Sequence, residues 1–243
     1  MKTIHLITPV TTKGFRKLDE IAHLSSSDLR FTHSELDRGP PSIECEFDEA
    51  LAVPDTIVKA MEAEREGADA IVIDCMGDPG LKPAREAVSI PVFGPAEVAM
   101  HIAAMLGHRF SIVTVLNSVK PMLSNLARVY GVSEKLASIL VVDVPVLELE
   151  ERFAEVQQRL CETAAVAVER DGADVIVLGC TGFLGCAAAI EAYLTKRGLA
   201  VPVIDPIPAA VCMAEAVVKA GLHHSKRTYA TPRPKAIVGF EML

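Results

Sequence analysis

Tryptophan is absent from the 243 residues, and aromatic residues of all kinds make up only 5%. A core short of large rings is built from Val, Ile, Leu and Ala, the composition of buried parallel strands and the helices that cover them. Positive charge is also scarce: 24 Lys and Arg stand against 32 Asp and Glu, a net charge of −8. That balance disfavours nucleic acid and anionic membrane surfaces as partners. The short basic cluster of Lys226, Arg227, Arg233 and Lys235 reads as a solvated tail. No apolar run approaches the roughly 20 residues of a membrane span, and no secretory h-region follows Lys2. Six cysteines occur without a C-x-x-C pair. Cys180 and Cys186 have no histidine cluster nearby, so neither a disulfide framework nor a zinc site is expected. The expected setting is the reducing cytoplasm.

What the chain does have is a repeat. Residues 64–77 read EREGADAIVIDCMG and residues 169–182 read ERDGADVIVLGCTG, with nine of fourteen positions identical. The first-strand segment at 5–12 is echoed at 111–118, with Thr8 falling on Thr114, and the Pro-Val-x-x-Pro of 91–95 returns at 202–206. Ordered agreement over three segments identifies two copies of one α/β unit.

Short unalternated apolar runs at 4–7, 70–73, 110–115, 140–142 and 175–178 fit strands buried on both faces of a parallel sheet. Helical patterns fill 53–66, 96–106, 147–170 and 209–220, most closing at a glycine, with Pro54 read as the first turn of its helix. Alternating strands and helices predict right-handed βαβ units. The expected architecture is two pseudo-symmetric, doubly wound αβα half-domains with parallel sheets and an active site in the cleft between them. The divisions are 1–106, 107–222 and a tail, 223–243, packing back on the body. Residues 19–47, with turn signals at 25–28 and 39–42, form an irregular segment suited either to a substrate-covering loop or to an ordinary surface loop.

Both repeated motifs put a cysteine just past the C-terminal end of a strand, where ligands bind in open α/β sheets. Cys75 and Cys180 are therefore the candidate catalytic residues. The following Met76-Gly77 and Thr181-Gly182 allow close backbone approach, and a helix start there would offer free N–H groups and depress a thiol pKa. Asp78 would be the N-cap of the first such helix, with Pro79 behind it. Thr8 and Thr114, at the ends of the two first strands, could also donate into the cleft. Cys45, Cys161, Cys186 and Cys212 read as buried small hydrophobes. Asp69 and Asp174 suit turns, and Asp74, matched by Gly179, stands outside the duplicated chemistry. His223 and His224 read as structural or solvated.

The chain resembles the hydantoin racemase family, which includes allantoin racemases, within the aspartate/glutamate racemase superfamily. The resemblance rests on Ser42-Ile43-Glu44, Asp48-Glu49-Ala50-Leu51, Glu66-Gly67-Ala68-Asp69 and Asp78-Pro79-Gly80-Leu81. It continues in Leu106-Gly107, Arg109-Phe110-Ser111, the run from Asp143 to Leu147, Leu178-Gly179-Cys180, and the run from Ala230 to Lys235. It implies a reaction without pyridoxal phosphate, metal or other cofactor, a homo-oligomer, and Cys75 and Cys180 as an acid/base pair facing each other across a cleft. It also implies that the turn after the first strand, with Thr8, Pro9 and Thr11, touches substrate; Met76, Gly77, Thr114, Thr181 and Gly182 are expected contacts from their places after the thiols and at the strand end. Where the family shows Asn-Pro-Asn-Thr, this chain has Thr8-Pro9-Val10-Thr11, and Gly-Cys-Ala-Gly-Met has become Gly179-Cys180-Thr181-Gly182-Phe183. These changes leave the small-molecule substrate open. The expected reaction is proton transfer at a carbon next to a carbonyl in a hydantoin or allantoin-type ring. An amino-acid racemase or a cis–trans isomerase on the same scaffold is the alternative, and a non-catalytic binding protein is the alternative from a different class. Decarboxylases of the superfamily keep only the second cysteine, so Cys75 argues against them.

Overall fold

The computed structural model describes residues 1–239, so the last four positions of the expected tail lie outside the described residues. Two parallel four-stranded sheets carry the fold. The first contains β1 (Lys2–Thr8), β2 (Leu29–Glu35), β3 (Ala70–Ile73) and β4 (Val92–Phe93), in the order β2-β1-β3-β4. The second contains β5 (Phe110–Thr114), β6 (Leu136–Val141), β7 (Val175–Leu178) and β8 (Val203–Ile204), in the matching order β6-β5-β7-β8. Register repeats as well: Ile4 pairs with Ala70 in the first sheet, and Phe110 with Val175 in the second.

One aspartate per half fixes this register. Asp69 accepts the Thr3 N–H at 2.8 Å, and Asp174 accepts the His108 and Arg109 N–H groups at 3.0 and 2.9 Å. Each thereby ties the start of one central strand to the turn before the next. The recurrence of Gly-Ala-Asp follows from this shared strand-start chemistry.

Among the described residues seven α-helices cover the sheets: α1 (Glu46–Arg65), α2 (Leu81–Ala87), α3 (Pro95–Leu106), α4 (Lys120–Val129), α5 (Phe153–Glu169), α6 (Ala187–Lys196) and α7 (Pro206–Lys219). Two of them lie across the seam between the sheets. Ala96, Ala99, Met100 and Ala103 of α3 pack into the core around Phe110, Ile112, Val175 and Val177. Conversely, Ile207, Ala210, Val211 and Ala214 of α7 pack against Ile4, Leu6, Ala70, Val72 and Phe93 of the first sheet. The alanines let these helices approach closely, so burial of apolar area holds the halves together.

Several sequence expectations are corrected. Residues 19–47 contain a 3-10 helix (Leu18–Leu24) and the edge strand β2. Leu29 alone in that strand is fully buried, so its sequence LRFTHSE lacks the apolar run of its neighbours. Pro54 lies inside α1, not at its start. The carbonyl it leaves without a helical partner belongs to exposed Ala50, where water can serve it. Cys212 is exposed on α7 rather than buried.

The tail returns to the first half. Lys226 Nζ donates to the carbonyls of Arg85, Glu86 and Val88 at 2.9, 3.0 and 2.6 Å, capping the end of α2. His224 Nε2 lies 2.9 Å from the backbone of Val92.

Candidate active site

β1, β3, β5 and β7 all point their C-terminal ends at one cleft. Cys75 leaves the end of β3 and Cys180 the end of β7, and both thiols line this cleft. Each sulfur accepts the N–H of the glycine two residues on, Gly77 and Gly182, at 3.4 Å. The Asp78 N–H closes a turn on the Cys75 carbonyl at 3.0 Å, as the Phe183 N–H does on that of Cys180 at 3.1 Å. The duplication thus brings two equivalently held thiols to one space.

Thr8, Pro9, Met76, Gly77, Thr114 and Thr181 also line the cleft. Thr11 and Gly182 do not. The Thr11 hydroxyl turns away to donate to the Pro40 carbonyl at 3.2 Å, while Gly182 borders a neighbouring recess with Phe15, Leu149 and Phe153. The two threonines expected to donate into the cleft have their hydroxyl protons committed. Thr8 donates to Asp74 Oδ2 at 3.0 Å, and Thr114 to the Gly179 carbonyl at 2.9 Å. The amides directly after the thiols, those of Met76 and Thr181, have no hydrogen-bond partner among the described residues.

Asp74 and Arg16 carry structure that the repeat did not point to. Arg16 Nε and Nη2 donate to Asp74 Oδ2 and Oδ1 at 2.7 and 3.1 Å, and their side chains are 2% and 0% exposed. Arg16 Nη2 also donates to the Thr181 carbonyl at 2.8 Å, and Thr181 Oγ1 donates to the Asp74 carbonyl at 3.2 Å. The segment after β1 therefore spans both halves beside Cys180. Burial alone would push the Asp74 carboxyl up, but the Arg16 guanidinium holds it below its ordinary value. The equivalent of Asp74 is Gly179, where a Cβ would meet Ile112 and Thr114 side chains at 2.7 Å. No second acid fits there.

Asp78 is not the cap of α2, whose N-cap is Gly80. Held at φ +50, it reaches instead across to α3 and accepts the Ala96 and Glu97 N–H groups at 3.0 and 2.9 Å. A Cβ at Gly94 would fall inside the Asp78 carboxylate, which explains the glycine before that helix. Because no long helix starts behind either thiol, the dipole stabilisation expected from the sequence is missing. Burial pushes Cys75 well above the ordinary thiol value, and the neighbouring Cys180, Asp78 and Glu49 add to it. Burial likewise pushes Cys180 up to about 12, with the Gly182 N–H and Arg16 opposing. A glycine N–H on each sulfur only partly offsets desolvation.

Asp74 and Gly179 line it too, and the rest of the lining is apolar: Val10, Phe15, Ile43, Val115, Val119, Met122 and Val146. No cationic side chain is among the lining residues, and no three His, Cys, Asp or Glu side chains gather as metal ligands would, among the described residues.

A protein-family model described as Asp/Glu/Hydantoin racemase matches residues 4–214. The chain belongs to this family. It is accordingly an enzyme of a racemase family, an isomerase. A hydantoin racemase of Pseudomonas sp. (strain NS671) is 40% identical over 239 residues, covering 97% of this chain and 94% of that one. A hydantoin racemase of Rhizobium meliloti is 36% identical over 242 residues, covering 98% of each. Among solved structures, an allantoin racemase from Klebsiella pneumoniae superposes with a TM-score of 0.90 at 36% identity, covering 98% of this chain and 97% of that one. No helix among the described residues is long and apolar enough to cross a membrane.

Proposed function

We propose that this racemase inverts a carbon next to a carbonyl in a hydantoin-type ring, using Cys75 and Cys180 as its two bases. The observation that carries the reading is the pair of equivalently held thiols on one cleft, each at a strand end with a glycine N–H on its sulfur. One thiolate takes the proton from one face while the opposite thiol delivers a proton to the other, and the roles exchange in the reverse direction. A thiolate of raised pKa is scarcer at neutral pH but a stronger base, which suits a weakly acidic C–H bond. The unpartnered amides of Met76 and Thr181 are the donors available to a developing enolate oxygen.

The lining narrows the substrate class. Seven apolar side chains around the thiols favour a ring bearing an apolar substituent over the polar ureido group of allantoin. An amino acid is disfavoured, because no cationic side chain lines the cleft to receive its carboxylate. The test is incubation of resolved 5-benzylhydantoin, allantoin, aspartate and glutamate in deuterated water. Solvent deuterium at the stereocentre with loss of optical rotation, faster for 5-benzylhydantoin than for allantoin, is the expected result. Absence of exchange above the uncatalysed rate on all four would refute the reading.

A further inference from the structure

The first thiol has a neighbour that the second lacks. Glu49, in the first turn of α1, places its carboxylate against Gly77, the residue whose N–H holds the Cys75 sulfur. A Cβ at Gly77 would meet Glu49 Oε2 at 3.5 Å and Met122 Sδ at 3.2 Å. The glycine thus leaves open the space between carboxylate and thiol, and Met122 walls it. The Glu49 carboxylate has no hydrogen-bond partner and no ion pair among the described residues, although the side chain is only partly exposed. The other acid at this spot is fully engaged: Asp78 holds two backbone N–H groups of α3 and the Tyr130 hydroxyl, the last at 2.6 Å.

The groups facing Glu49 are Glu46 on its own helix, Cys75 and Asp78 on the loop after β3, and apolar Met122 on α4. The charges among them are negative. Burial first, then Asp78 and Glu46, push the Glu49 carboxyl up to about 7. It therefore exchanges a proton in the neutral range, where an ordinary glutamate stays ionised. Around Cys180 the charged neighbours are the Arg16–Asp74 pair, closed by hydrogen bonds, and Glu44, whose carboxylate already accepts the Val146 N–H at 2.7 Å.

We propose that Glu49 is the proton relay of the first thiol, resting on the two-thiol reading above. After Cys75 has taken a substrate proton, its S–H proton passes by way of solvent in the cleft to the Glu49 carboxylate. The S–H bond breaks, a carboxylic O–H forms, and the thiolate is restored. Before Cys75 acts as an acid the transfer runs the other way. No oxidant, reductant or further reactant enters.

The test compares the two faces. In the Cys180→Ser variant only Cys75 can exchange the α-proton of 5-benzylhydantoin with deuterated water; in Cys75→Ser only Cys180 can. Adding Glu49→Gln to the first variant should slow wash-in about tenfold to a hundredfold, the scale of one proton-transfer group. It should also remove a titration near neutral pH, and Glu49→Asp should restore part of the rate. Added to the second variant, Glu49→Gln should change wash-in less than about twofold, outside the range of one such group. A purely electrostatic role would have the opposite sign, because removing a nearby negative charge lowers the thiol pKa and speeds proton removal. Equal effects on both faces, no effect, or faster exchange in the Glu49→Gln, Cys180→Ser protein would each overturn the relay alone. If neither single-cysteine variant nor the wild-type chain exchanges, the two-thiol reading fails and the relay with it.

Discussion

The two halves share strand order, register, an aspartate tie at each first strand and a glycine N–H on each thiol, yet the thiols sit among different charges. Around Cys75 the neighbours are carboxylates, Asp78 and Glu49. Around Cys180 lies an ion pair, Arg16 with Asp74, bound through Thr181 to the second half, and one carboxylate, Glu44, tied to the Val146 N–H. Duplication accounts for placement: it puts a thiol on each side of one cleft. Divergence sets the charges: Asp78 and Glu49 add to the rise at Cys75, while the Arg16 guanidinium opposes the rise at Cys180.

The comparison can be broken or sharpened in several ways. Cys75→Ser and Cys180→Ser should each lower racemisation by about 10³-fold or more, at least the upper half of the range for one acid/base group, because each direction needs both. Activity assays on resolved enantiomers check this. Asp74→Ala, which leaves the Arg16 charge buried without its main partner, should cost about 3–5 kcal/mol in urea unfolding. Tyr130→Phe removes one bond to the Asp78 carboxylate and should cost about 1.5–3 kcal/mol in the same measurement. Lys226→Ala, uncapping α2 far from either thiol, should cost about 1 kcal/mol at most. The pH dependence has a definite sign. Burial raises both thiols, so the thiolate base accumulates only at high pH, and kcat/KM should climb through about pH 8.5, where an ordinary thiol would level off. A plateau below that point would show that the thiols are not desolvated.

Most of the scaffold was legible because buried parallel strands write themselves as apolar runs. Residues 70–73 and 175–178 were read with the bounds they have. β2 was missed since an edge strand need bury only one face, and its His33 and Ser34 break the apolar pattern. The seam helices could not be foreseen from periodicity, which shows that α3 and α7 are apolar but not which sheet they cover. At the site, the repeat pointed to Cys75 and Cys180, but it also dismissed Asp74, whose partner Arg16 lies 58 residues away. Asymmetric residues are invisible to an argument from symmetry. The depressed thiol pKa failed for a related reason. The sequence suggests helix starts after both cysteines, whereas Asp78 caps α3 and only a three-residue 3-10 turn follows Cys180.

The central claim is that two placed thiols serve opposite faces of one carbon. Its most direct test follows deuterium wash-in from solvent into each enantiomer of 5-benzylhydantoin with the Cys75→Ser and Cys180→Ser proteins. The expected result is mirrored: each variant exchanges one enantiomer without racemising it, and the two variants choose opposite enantiomers. Exchange of the same enantiomer by both variants, or undiminished racemisation by either one, would contradict it.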